Sequence, residues 1–412
     1  MLKEKAPIII AGGGAAGFFA AINCAEQQQE RPVILLEKSR HLLSKVKVSG
    51  GGRCNVTHAC FDVNELVKNY PRGASELIAP FHRFNPAHTI EWFEQRGVKL
   101  KTEADGRMFP ITNSSQTIVN CLLNAAEKSG VSIITNSGIT DLIPPANNQD
   151  NWQVIDSGSK NWKAHQVMIA TGSSNTMWNL LKKMGHHLEV PVPSLFTLNL
   201  AKNNLLSDLP GITVSDVSVK IGGTKITTTG NLLVTHWGIS GPAVLRLSAW
   251  GAKTLYDLNY RTPIEINWIN PMGSTETLEK LNIHKKEFSK QLVSANSLFN
   301  LPLRLWKRIT EMAQIPETLR WADMSNKLMD ALTKQLTQTT LFMTGKSTFK
   351  DEFVTCGGIR LNEVNFKTME SKLFNRLYFA GEVLNIDAIT GGFNFQAAWT
   401  CGWIAGNSMA EN

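Results

Sequence analysis

Apolar positions near the start of the chain follow the order strand, helix, strand. Residues 8–10 are three consecutive isoleucines, a short apolar run typical of a strand that is buried on both faces. Ala16, Phe19, Ala20 and Asn23 then recur at helical spacing, and a second apolar run follows at residues 33–36. This alternation predicts a βαβ unit with two parallel strands.

A glycine-rich turn joins the first predicted strand to the helix. Gly12, Gly14 and Gly17 form the pattern G-x-G-x-x-G. The first glycine permits a tight turn, the second lets a pyrophosphate approach the backbone, and the third lets the helix pack close to the strand. Free N–H groups at the helix start, at Ala15 and Ala16, attract phosphate. The pattern predicts a dinucleotide site.

An acidic residue ends the second predicted strand. Glu37 lies 20 residues beyond Gly17 and is followed by Lys38, which we also assign to this site. The Glu37 carboxylate can accept hydrogen bonds from both hydroxyls of an adenosine ribose and would repel a 2′-phosphate. We therefore expect FAD or NAD in this site rather than NADP.

A second glycine-rich segment lies at residues 45–55. Three consecutive glycines precede an arginine, so the backbone can wrap tightly around a ligand with a guanidinium beside it. An ordinary flexible loop is the alternative. The residues of this segment that we assign to the cofactor are Lys45, Ser49, Gly50, Gly51, Gly52, Arg53 and Asn55.

Two further apolar runs end in turns of small residues. One run leads into residues 170–172, and the other leads into residues 381–382. Two glycines then open a helical stretch at residues 393–405, where backbone N–H groups would stabilise the negative charge that develops on a reduced flavin. From these segments we assign to the cofactor Ala170, Thr171, Gly172, Gly381, Glu382, Gly391, Gly392, Phe393 and Asn394.

The set of motifs resembles that of the BaiN/YhiN-like bacterial FAD-dependent flavoproteins, which have an FAD-binding fold of the glutathione reductase type. The resemblance rests on motifs at residues 12–37, 49–55, 106–110, 236–242, 354–358, 381–384 and 391–396. The chain departs from the family pattern at Asn385, Ala388, Phe393 and Phe395, where the family usually has Asp, Gly, Tyr and Leu. The resemblance implies an α/β protein with a discontinuous, Rossmann-like FAD-binding domain.

The resemblance also implies that a β-barrel-like and helical region interrupts this domain. We expect the FAD-binding domain at residues 1–190 and 345–412, a β-rich insertion at 191–270 and a helical insertion at 271–344. Within the first helix of the insertion, Leu278, Leu281, Phe288 and Leu292 are candidates for one apolar face.

The candidates for chemistry lie beside the glycine turns. We assign catalytic roles to Arg53, Cys54, Asn55, His236 and Cys356. Arg53 can bind an anionic or carbonyl oxygen, and His236 is a candidate proton donor because imidazole titrates near neutrality. Each residue also has a structural alternative: a salt bridge for the arginine, a hydrogen-bonded structural role for the histidine and core packing for the two thiols.

No metal is expected. Cys54, His58 and Cys60 lie close together in the sequence, but their spacing matches no standard zinc site and a fourth ligand is missing. The six cysteines contain no CxxC pair, which fits a reducing compartment, so we expect a cytoplasmic protein. No run approaches the roughly 18 consecutive apolar residues that a membrane span requires.

The motifs favour an FAD-dependent oxidoreductase, with NAD(P)H as a transient reductant and a small unsaturated or carbonyl compound as the acceptor. An RNA-modifying enzyme is an alternative, because residues 191–345 contain 16 basic and 11 acidic residues in a chain of formal net charge +8. Since a charge run is usually a solvated helix face, we expect nucleic acid not to be a partner. A flavin-bearing binding or sensor protein without turnover is a third reading, and the oligomeric state stays open.

Overall fold

Two structural units make up the chain. The computed structural model describes residues 5–147, 149–202, 205–347 and 354–411. The first unit contains the described residues up to Pro191 and those from Val354 onward, so both ends of the chain build it. The second unit lies between them, at residues 192–353. All the glycine-rich segments assigned to the cofactor belong to the first unit.

The described residues of the two units form the following strands and α-helices. The strands are β1 (Ile8–Ala11), β2 (Val33–Leu36), β3 (Thr57–His58), β4 (Leu100–Thr102), β5 (Arg107–Pro110), β6 (Ser132–Ile134), β7 (Ile139–Ile143), β8 (Trp152–Asp156), β9 (Asn161–Ala164), β10 (Gln166–Ile169), β11 (Leu188–Ser194), β12 (Leu198–Leu200), β13 (Thr213–Ile221), β14 (Thr227–Val234), β15 (Gly238–Ser240), β16 (Thr262–Asn267), β17 (Thr339–Lys346), β18 (Val354–Ile359), β19 (Val364–Asn365), β20 (Glu370–Ser371) and β21 (Leu377–Phe379). The α-helices are α1 (Ala15–Gln27), α2 (Ser44–Gly52), α3 (Val63–Val67), α4 (Ala74–Arg83), α5 (Pro86–Glu94), α6 (Ser115–Lys128), α7 (Asn175–Lys183), α8 (Pro242–Trp250), α9 (Ala252–Asp257), α10 (Ser274–Glu287), α11 (Leu303–Met312), α12 (Asn326–Thr337) and α13 (Phe393–Glu411).

A seven-stranded sheet forms the centre of the first unit. Its order is β19-β20-β21-β10-β1-β2-β6, and the five strands from β21 to β6 are parallel. All four residues of β1 are buried, which explains why this strand is apolar throughout rather than alternating. The predicted βαβ unit is confirmed, and the Rossmann-like α/β class with it. Because the carboxyl ends of parallel strands meet at one edge, the turns after β1, β2, β10 and β21 share that edge.

The last helix packs against the first. A Cβ added at Gly402 would lie 2.7 Å from the carbonyl oxygen of Ala16, and one at Gly406 would lie 2.6 Å from the carbonyl oxygen of Ala20. The two glycines, four residues apart on α13, therefore let its backbone approach α1 closely. Phe19 of α1 adds an aromatic contact to Trp399 of α13, with ring centroids 5.2 Å apart.

A small antiparallel sheet, β3-β5-β4, lies in the same unit. Thr57 pairs with Met108 and His58 with Arg107. Strand β3 follows the second glycine-rich segment directly in sequence, and β5 pairs with β3. Both strands therefore place side chains next to that segment.

The second unit is built on a closed six-stranded barrel. The strand order is β12-β15-β14-β13-β16-β17, and its pairings are antiparallel. Alternate residues of β13, among them Val217, Val219 and Ile221, are fully buried and fill the core. The β-barrel-like insertion expected from the family resemblance is thus confirmed as a feature of the fold.

The structure differs from the sequence expectation at two places in this unit. Helix α10 ends at Glu287, so Phe288 and Leu292 do not extend its apolar face, and both side chains are exposed. The segment expected to be helical, 271–344, also ends in the barrel strand β17. There burial alternates with period two, with Leu341 and Met343 inward and Phe342 outward. Among the described residues, no helix combines the length and the apolar character that crossing a membrane requires.

Candidate cofactor site

The first glycine turn combines closely packed backbone with open backbone. A Cβ at Gly17 would lie 1.9 Å from the carbonyl oxygen of Gly12, and a Cβ at Gly12 would lie 2.4 Å from the carbonyl oxygen of Ala170. A Cβ at Gly14 would meet no heavy atom within 4 Å. Gly12 and Gly17 are therefore required by packing, whereas Gly14 leaves space into which a ligand can enter.

The start of α1 provides hydrogen-bond donors at this open position. Gly14 is the N-cap and contributes no side-chain cap, and the first turn carries no acidic side chain that would repel an anion. The N–H groups at Ala15 and Ala16 precede the first intrahelical bond, which joins the Phe18 N–H to the Gly14 carbonyl at 3.0 Å. This helix end can therefore hold a phosphate group.

Glu37 ties the first turn to the end of β2. Its Oε2 accepts a hydrogen bond from the Gly13 N–H at 2.7 Å, and its Oε1 accepts one from the Ser39 N–H at 2.9 Å. A carboxylate has about four acceptor positions, so roughly two remain for ligand hydroxyls. Lys38, beside it, is exposed, and a Cβ added at Gly138 would lie 2.8 Å from the Cβ of Lys38.

Segments from both ends of the chain meet at the same sheet edge. A Cβ at Gly381 would lie 3.2 Å from the Cβ of Ala16, and a Cβ at Gly172 would lie 3.8 Å from Oε2 of Glu382. The Lys45 ammonium forms an ion pair with the Glu382 carboxylate. The residues predicted from four separate motifs are thus neighbours in the structure.

A buried hydroxyl in this region lacks a partner. Within the described part of the chain, Oγ1 of Thr171 is buried and makes no hydrogen bond. Thr171 lies between Ala170, which packs on Gly12, and Gly172, which faces Glu382. Because a buried hydroxyl without a partner is costly, this atom suits a bound group that supplies one. The open Gly14 backbone and this hydroxyl fit a dinucleotide.

The second glycine turn breaks α2. Helical geometry stops at Ser49, and Gly50, Gly51 and Gly52 all have positive φ, at +58°, +67° and +80°. Only glycine adopts three such conformations in succession without strain. A Cβ at Gly50 would lie 2.9 Å from the Phe109 ring, but Gly51 and Gly52 have open space where a Cβ would be. The turn therefore exposes its backbone.

An ion-pair cluster borders this turn. Arg53 donates to Oε1 of Glu103 at 2.6 Å, and Arg107 donates to Oε2 of the same carboxylate at 3.0 Å. The Arg53 guanidinium lies 4.0 Å from the centroid of the Phe109 ring, a cation–π contact. Glu103 therefore holds two guanidinium groups side by side at the edge of the glycine turn, where neither is fully buried.

Asn55 links the second glycine turn to the start of α13. With its amide oriented to satisfy its neighbours, the side chain accepts from the Gly392 N–H at 2.9 Å and donates to the Thr57 carbonyl at 3.0 Å. A Cβ at Gly392 would lie 2.5 Å from that carbonyl oxygen. The segment at residues 45–55 and the glycine pair at 391–392 are consequently in direct contact.

Two other residues at the start of α13 bind neighbouring protein groups. The Asn394 amide accepts from the Ala388 N–H at 2.9 Å and donates to the Ala388 carbonyl at 3.0 Å, so it braces the loop before the helix. The Phe393 ring is buried and stacks on His58, with ring centroids 4.6 Å apart. The side chains of Asn55 and Asn394 thus shape the turns by hydrogen bonds to the backbone.

Three residues near the site were missed in the sequence. Glu103 carries no motif. Gln396 is fully buried, and its Oε1 accepts from the hydroxyls of Thr57 at 2.6 Å and Thr89 at 2.9 Å. Arg72 forms an ion pair with the fully buried Asp387. A polar residue inside an apolar helical stretch was the available signal for Gln396; the two ion pairs join distant segments and left no local signal.

The cysteines predicted to be catalytic are buried. Burial raises the pKa of Cys54 to about 12, against the opposing effect of a hydrogen bond with Ser49. Because the thiolate is the reactive form, this thiol is unreactive at neutral pH. Cys356 is fully buried in β18. Among the cysteines of the described chain only Cys60 is partly exposed.

His236 belongs to the second unit. It lies in the turn between β14 and β15, it is exposed, and its ring centroid is 5.8 Å from that of Trp237. A catalytic role for His236 stays a prediction. Over the described ranges, no three His, Cys, Asp or Glu side chains are grouped so that they could hold a metal ion.

Comparison with known families identifies the chain. The model described as the HI0933-like protein Rossmann domain matches residues 6–408. The chain belongs to the HI0933-like family. The match extends over nearly all of the sequence, and it confirms the family resemblance that the motifs indicated.

Curated relatives and solved structures are similar to this chain over almost its full length. A 3-dehydro-bile acid delta(4,6)-reductase of Clostridium scindens is 26% identical over 388 residues, which is 92% of this chain and 93% of the relative. A ribosomal RNA dihydrouridine synthase of Escherichia coli is 28% identical over 389 residues, 92% of each chain. The structure of a 3-ketosteroid-delta4-(5alpha)-dehydrogenase from Rhodococcus jostii superimposes with a TM-score of 0.53 at 12% identity, covering 100% of this chain and 98% of that one. This last likeness establishes a shared fold.

Proposed function

We propose that the first unit binds FAD and that the protein is an oxidoreductase which reduces a carbon–carbon double bond conjugated to a carbonyl, with NAD(P)H as the electron source. The observation that carries the cofactor proposal is the meeting of four separate motifs at one sheet edge. There the open Gly14 backbone, the free acceptors of Glu37 and the unpartnered hydroxyl of Thr171 lie on connected segments.

Each end of the site suits one part of FAD. The N–H groups at Ala15 and Ala16 would bind the pyrophosphate, and Glu37 would accept from the ribose hydroxyls. The turns at 50–52 and 391–392, which Asn55 joins, would border the ring system. FAD, when bound, supplies hydride transfer. The protein's part is to hold it, to orient the acceptor and to exclude water.

The arginine pair suits an acceptor that carries a carbonyl. Arg53 and Arg107 would donate hydrogen bonds to the carbonyl oxygen, on which negative charge develops when a hydride reaches the conjugated double bond. Glu103 keeps both guanidinium groups in place before the acceptor binds, so little reorganisation is needed.

The names of the relatives support this class of acceptor. The Clostridium scindens relative is named a reductase of a 3-dehydro-bile acid, in which double bonds at positions 4 and 6 are conjugated to the 3-keto group. The Escherichia coli relative is named for the formation of dihydrouridine, which saturates the double bond next to the C4 carbonyl of uracil. Both reactions add hydrogen to an enone-like bond, although their substrates differ greatly in size.

Anaerobic rapid mixing tests the proposal. The FAD-loaded protein is mixed with NADH or NADPH, flavin bleaching is recorded, and a 3-keto-4-ene steroid is then added. We expect bleaching followed by acceptor-dependent reoxidation. In Glu103→Gln one arginine loses its carboxylate partner and is no longer held in place, so reoxidation should slow by up to about 10²–10³-fold, the effect of losing one preorganised donor. The comparison variant is Asp105→Asn, which leaves both contacts of Glu103 with the arginines in place and should therefore slow reoxidation less. Absence of bleaching with either nucleotide would contradict the proposal and favour a flavin-bearing binding protein.

A uridine in ribosomal RNA is the second candidate acceptor. It is favoured by the name of the Escherichia coli relative and by the excess of five basic residues over residues 191–345. The earlier expectation that nucleic acid is not a partner is thereby put in question. Exposed cations of this segment include Lys286 in the last turn of α10, Lys290 just beyond that helix, and Arg304 and Lys307 on α11.

Salt-dependent binding distinguishes this candidate. If the RNA is the substrate, affinity for a ribosomal RNA fragment falls steeply with salt, and the double variant Lys286→Glu, Lys290→Glu lowers both the affinity and the salt slope. The control Lys163→Glu changes a lysine in the first unit and should have no effect. Equal binding by wild type and double variant would exclude this surface as the RNA contact.

A further inference from the structure

A cavity lies on the first unit beside helix α7, which begins just after the 170–172 turn. Its volume is about 650 Å³, a size typical of small-molecule sites, and the turn at 185–188 and Arg360 also border it. Asn175, Asn179 and Lys182 line it from one face of α7, at positions i, i+4 and i+7. None of the lining residues belongs to the motifs assigned to FAD.

The polar groups of α7 at this cavity are available to a ligand. In the part of the chain that the structure describes, the side chains of Asn175, Asn179 and Lys182 make no hydrogen bond or ion pair with another residue. Lys182 belongs to the last turn of α7. The helix thus presents two amides and an ammonium group in a row, without a protein partner that would compete for them.

A histidine pair is held in position beside this row. Glu363 accepts from Nδ1 of His186 at 2.7 Å and from Nδ1 of His187 at 2.6 Å. Burial opposes ionisation of Glu363, but hydrogen bonds from both histidines lower its pKa, so the carboxylate is ionised at neutral pH. Since Nδ1 of His187 is used, Nε2 is the ring atom that a ligand in the cavity can reach.

The other wall combines a guanidinium group with apolar surface. Arg360 lines the cavity and donates from Nε to Oε1 of Glu189 at 3.1 Å. Leu188, Val190 and Pro191 provide apolar surface, and Val190 is 60% exposed, which is high for a valine. The cavity lining therefore contains both cationic donors and apolar side chains.

We propose that this cavity is a second nucleotide site, which binds the phosphate groups of a small nucleotide. Lys182 and Arg360 would contact the phosphates, because ammonium and guanidinium groups form strong charge-assisted hydrogen bonds to phosphate oxygens. The amides of Asn175 and Asn179 would bind ribose hydroxyls, and the apolar wall would take the base. NAD(P)H is the member of this class that the proposed function requires, and the site itself does not depend on that function.

Calorimetric titration of the FAD-loaded protein with ADP tests this proposal, because FAD then occupies the first site. We expect one ADP per chain, and weaker binding by about 10- to 100-fold in Lys182→Glu, the effect of losing one charged contact to phosphate. The control is Lys183→Glu, which changes the neighbouring exposed lysine of the same helix turn that does not line the cavity. Adenosine, which has no phosphate, should not bind measurably.

Three outcomes would overturn the proposal. They are no ADP binding, equal weakening of ADP binding by Lys182→Glu and Lys183→Glu, and binding of a short oligouridylate by a protein that does not bind ADP. If NADPH competes with ADP, and if Lys182→Glu weakens the binding of NADPH, then NAD(P)H is supported as the occupant. If the protein does not take up FAD, the proposed function fails while this site is still tested. The titration is then made on the flavin-free protein, and the contrast between Lys182→Glu and Lys183→Glu decides.

Discussion

Replacing Glu37 by glutamine tests the link between the first glycine turn and the cofactor. The wild-type carboxylate accepts one hydrogen bond from the Gly13 N–H at 2.7 Å and another from the Ser39 N–H at 2.9 Å. A glutamine has one oxygen and one NH₂ group, so it can accept from only one of these donors. Its NH₂ group then faces the other N–H, donor against donor.

The magnitude follows from these contacts. Leaving one partly buried N–H without an acceptor costs about 1 kcal/mol of folding stability. Hydrogen bonds to a charged acceptor contribute about 1.5–3 kcal/mol each and those to a neutral one about half as much, so two ribose contacts lose about 1.5–3 kcal/mol together. FAD binding should weaken by about 10- to 150-fold.

Fluorescence titration of flavin-free protein with FAD measures the affinity, and urea unfolding of the same samples measures the stability. Glu30→Gln is the matched control, because Glu30 lies on the same βαβ unit, is exposed and pairs only with Lys5 among the contacts described here. Unchanged affinity in Glu37→Gln would refute the ribose assignment. Unchanged stability would refute the double hydrogen bond to the turn.

Further predictions concern packing, pH dependence and thiol reactivity. Gly402→Val places a Cβ 2.7 Å from the Ala16 carbonyl oxygen and should lower the free energy of unfolding, measured in urea, by about 1–3 kcal/mol. An unchanged urea midpoint would contradict the close packing of α13 on α1. Burial lowers the pKa of His186, against the opposing effect of its hydrogen bond to Glu363, so the unfolded chain binds this proton more tightly. The free energy of unfolding should therefore decrease as the pH falls below about 6.5, and His186→Gln should flatten that decrease; parallel pH profiles would count against it. Iodoacetamide at neutral pH should modify Cys60 in the native protein and leave Cys54 intact until the protein unfolds, as peptide mass analysis would show. Modification of Cys54 in the native protein would show that its thiol is accessible.

The parts of the fold that depend on local sequence were predictable. The run at 8–10, the glycine turn and the run at 33–36 predicted β1, α1 and β2, because burial on both faces requires apolar residues throughout and a tight turn requires glycine. Glu37 followed from its place after the second strand. These signals are local, so one sequence is sufficient to find them.

Contacts between distant segments were less accessible. The ion pair of Lys45 with Glu382 joins residues 337 positions apart, and each was predicted from its own motif without knowledge of the other. Asn394 was expected to face the flavin, but its amide binds the backbone of Ala388, a geometry that depends on the path of the preceding loop. The spacing of Gly402 and Gly406 was visible in the sequence, but only the structure shows that both glycines face the backbone of α1.

Helix ends were also hard to place. Apolar residues continue at helical spacing past Glu287, but α10 stops there, and Phe288 and Leu292 are exposed. Periodicity reports which residues could share a face and does not report where the partner surface ends. The strand β17 was missed for the converse reason, because its buried alternation is short and follows a long helical region.

Flavin content after reconstitution is the most direct test of the central claim that segments from both ends of the chain build one FAD site. The purified protein is incubated with excess FAD, desalted and denatured, and the released flavin is quantified and identified by mass. We predict one FAD per chain in the wild type, and strong depletion in Gly14→Glu, which places a carboxylate where the pyrophosphate would lie. A protein that stays colourless after incubation with FAD, or a Gly14→Glu variant with full flavin content, would contradict the claim.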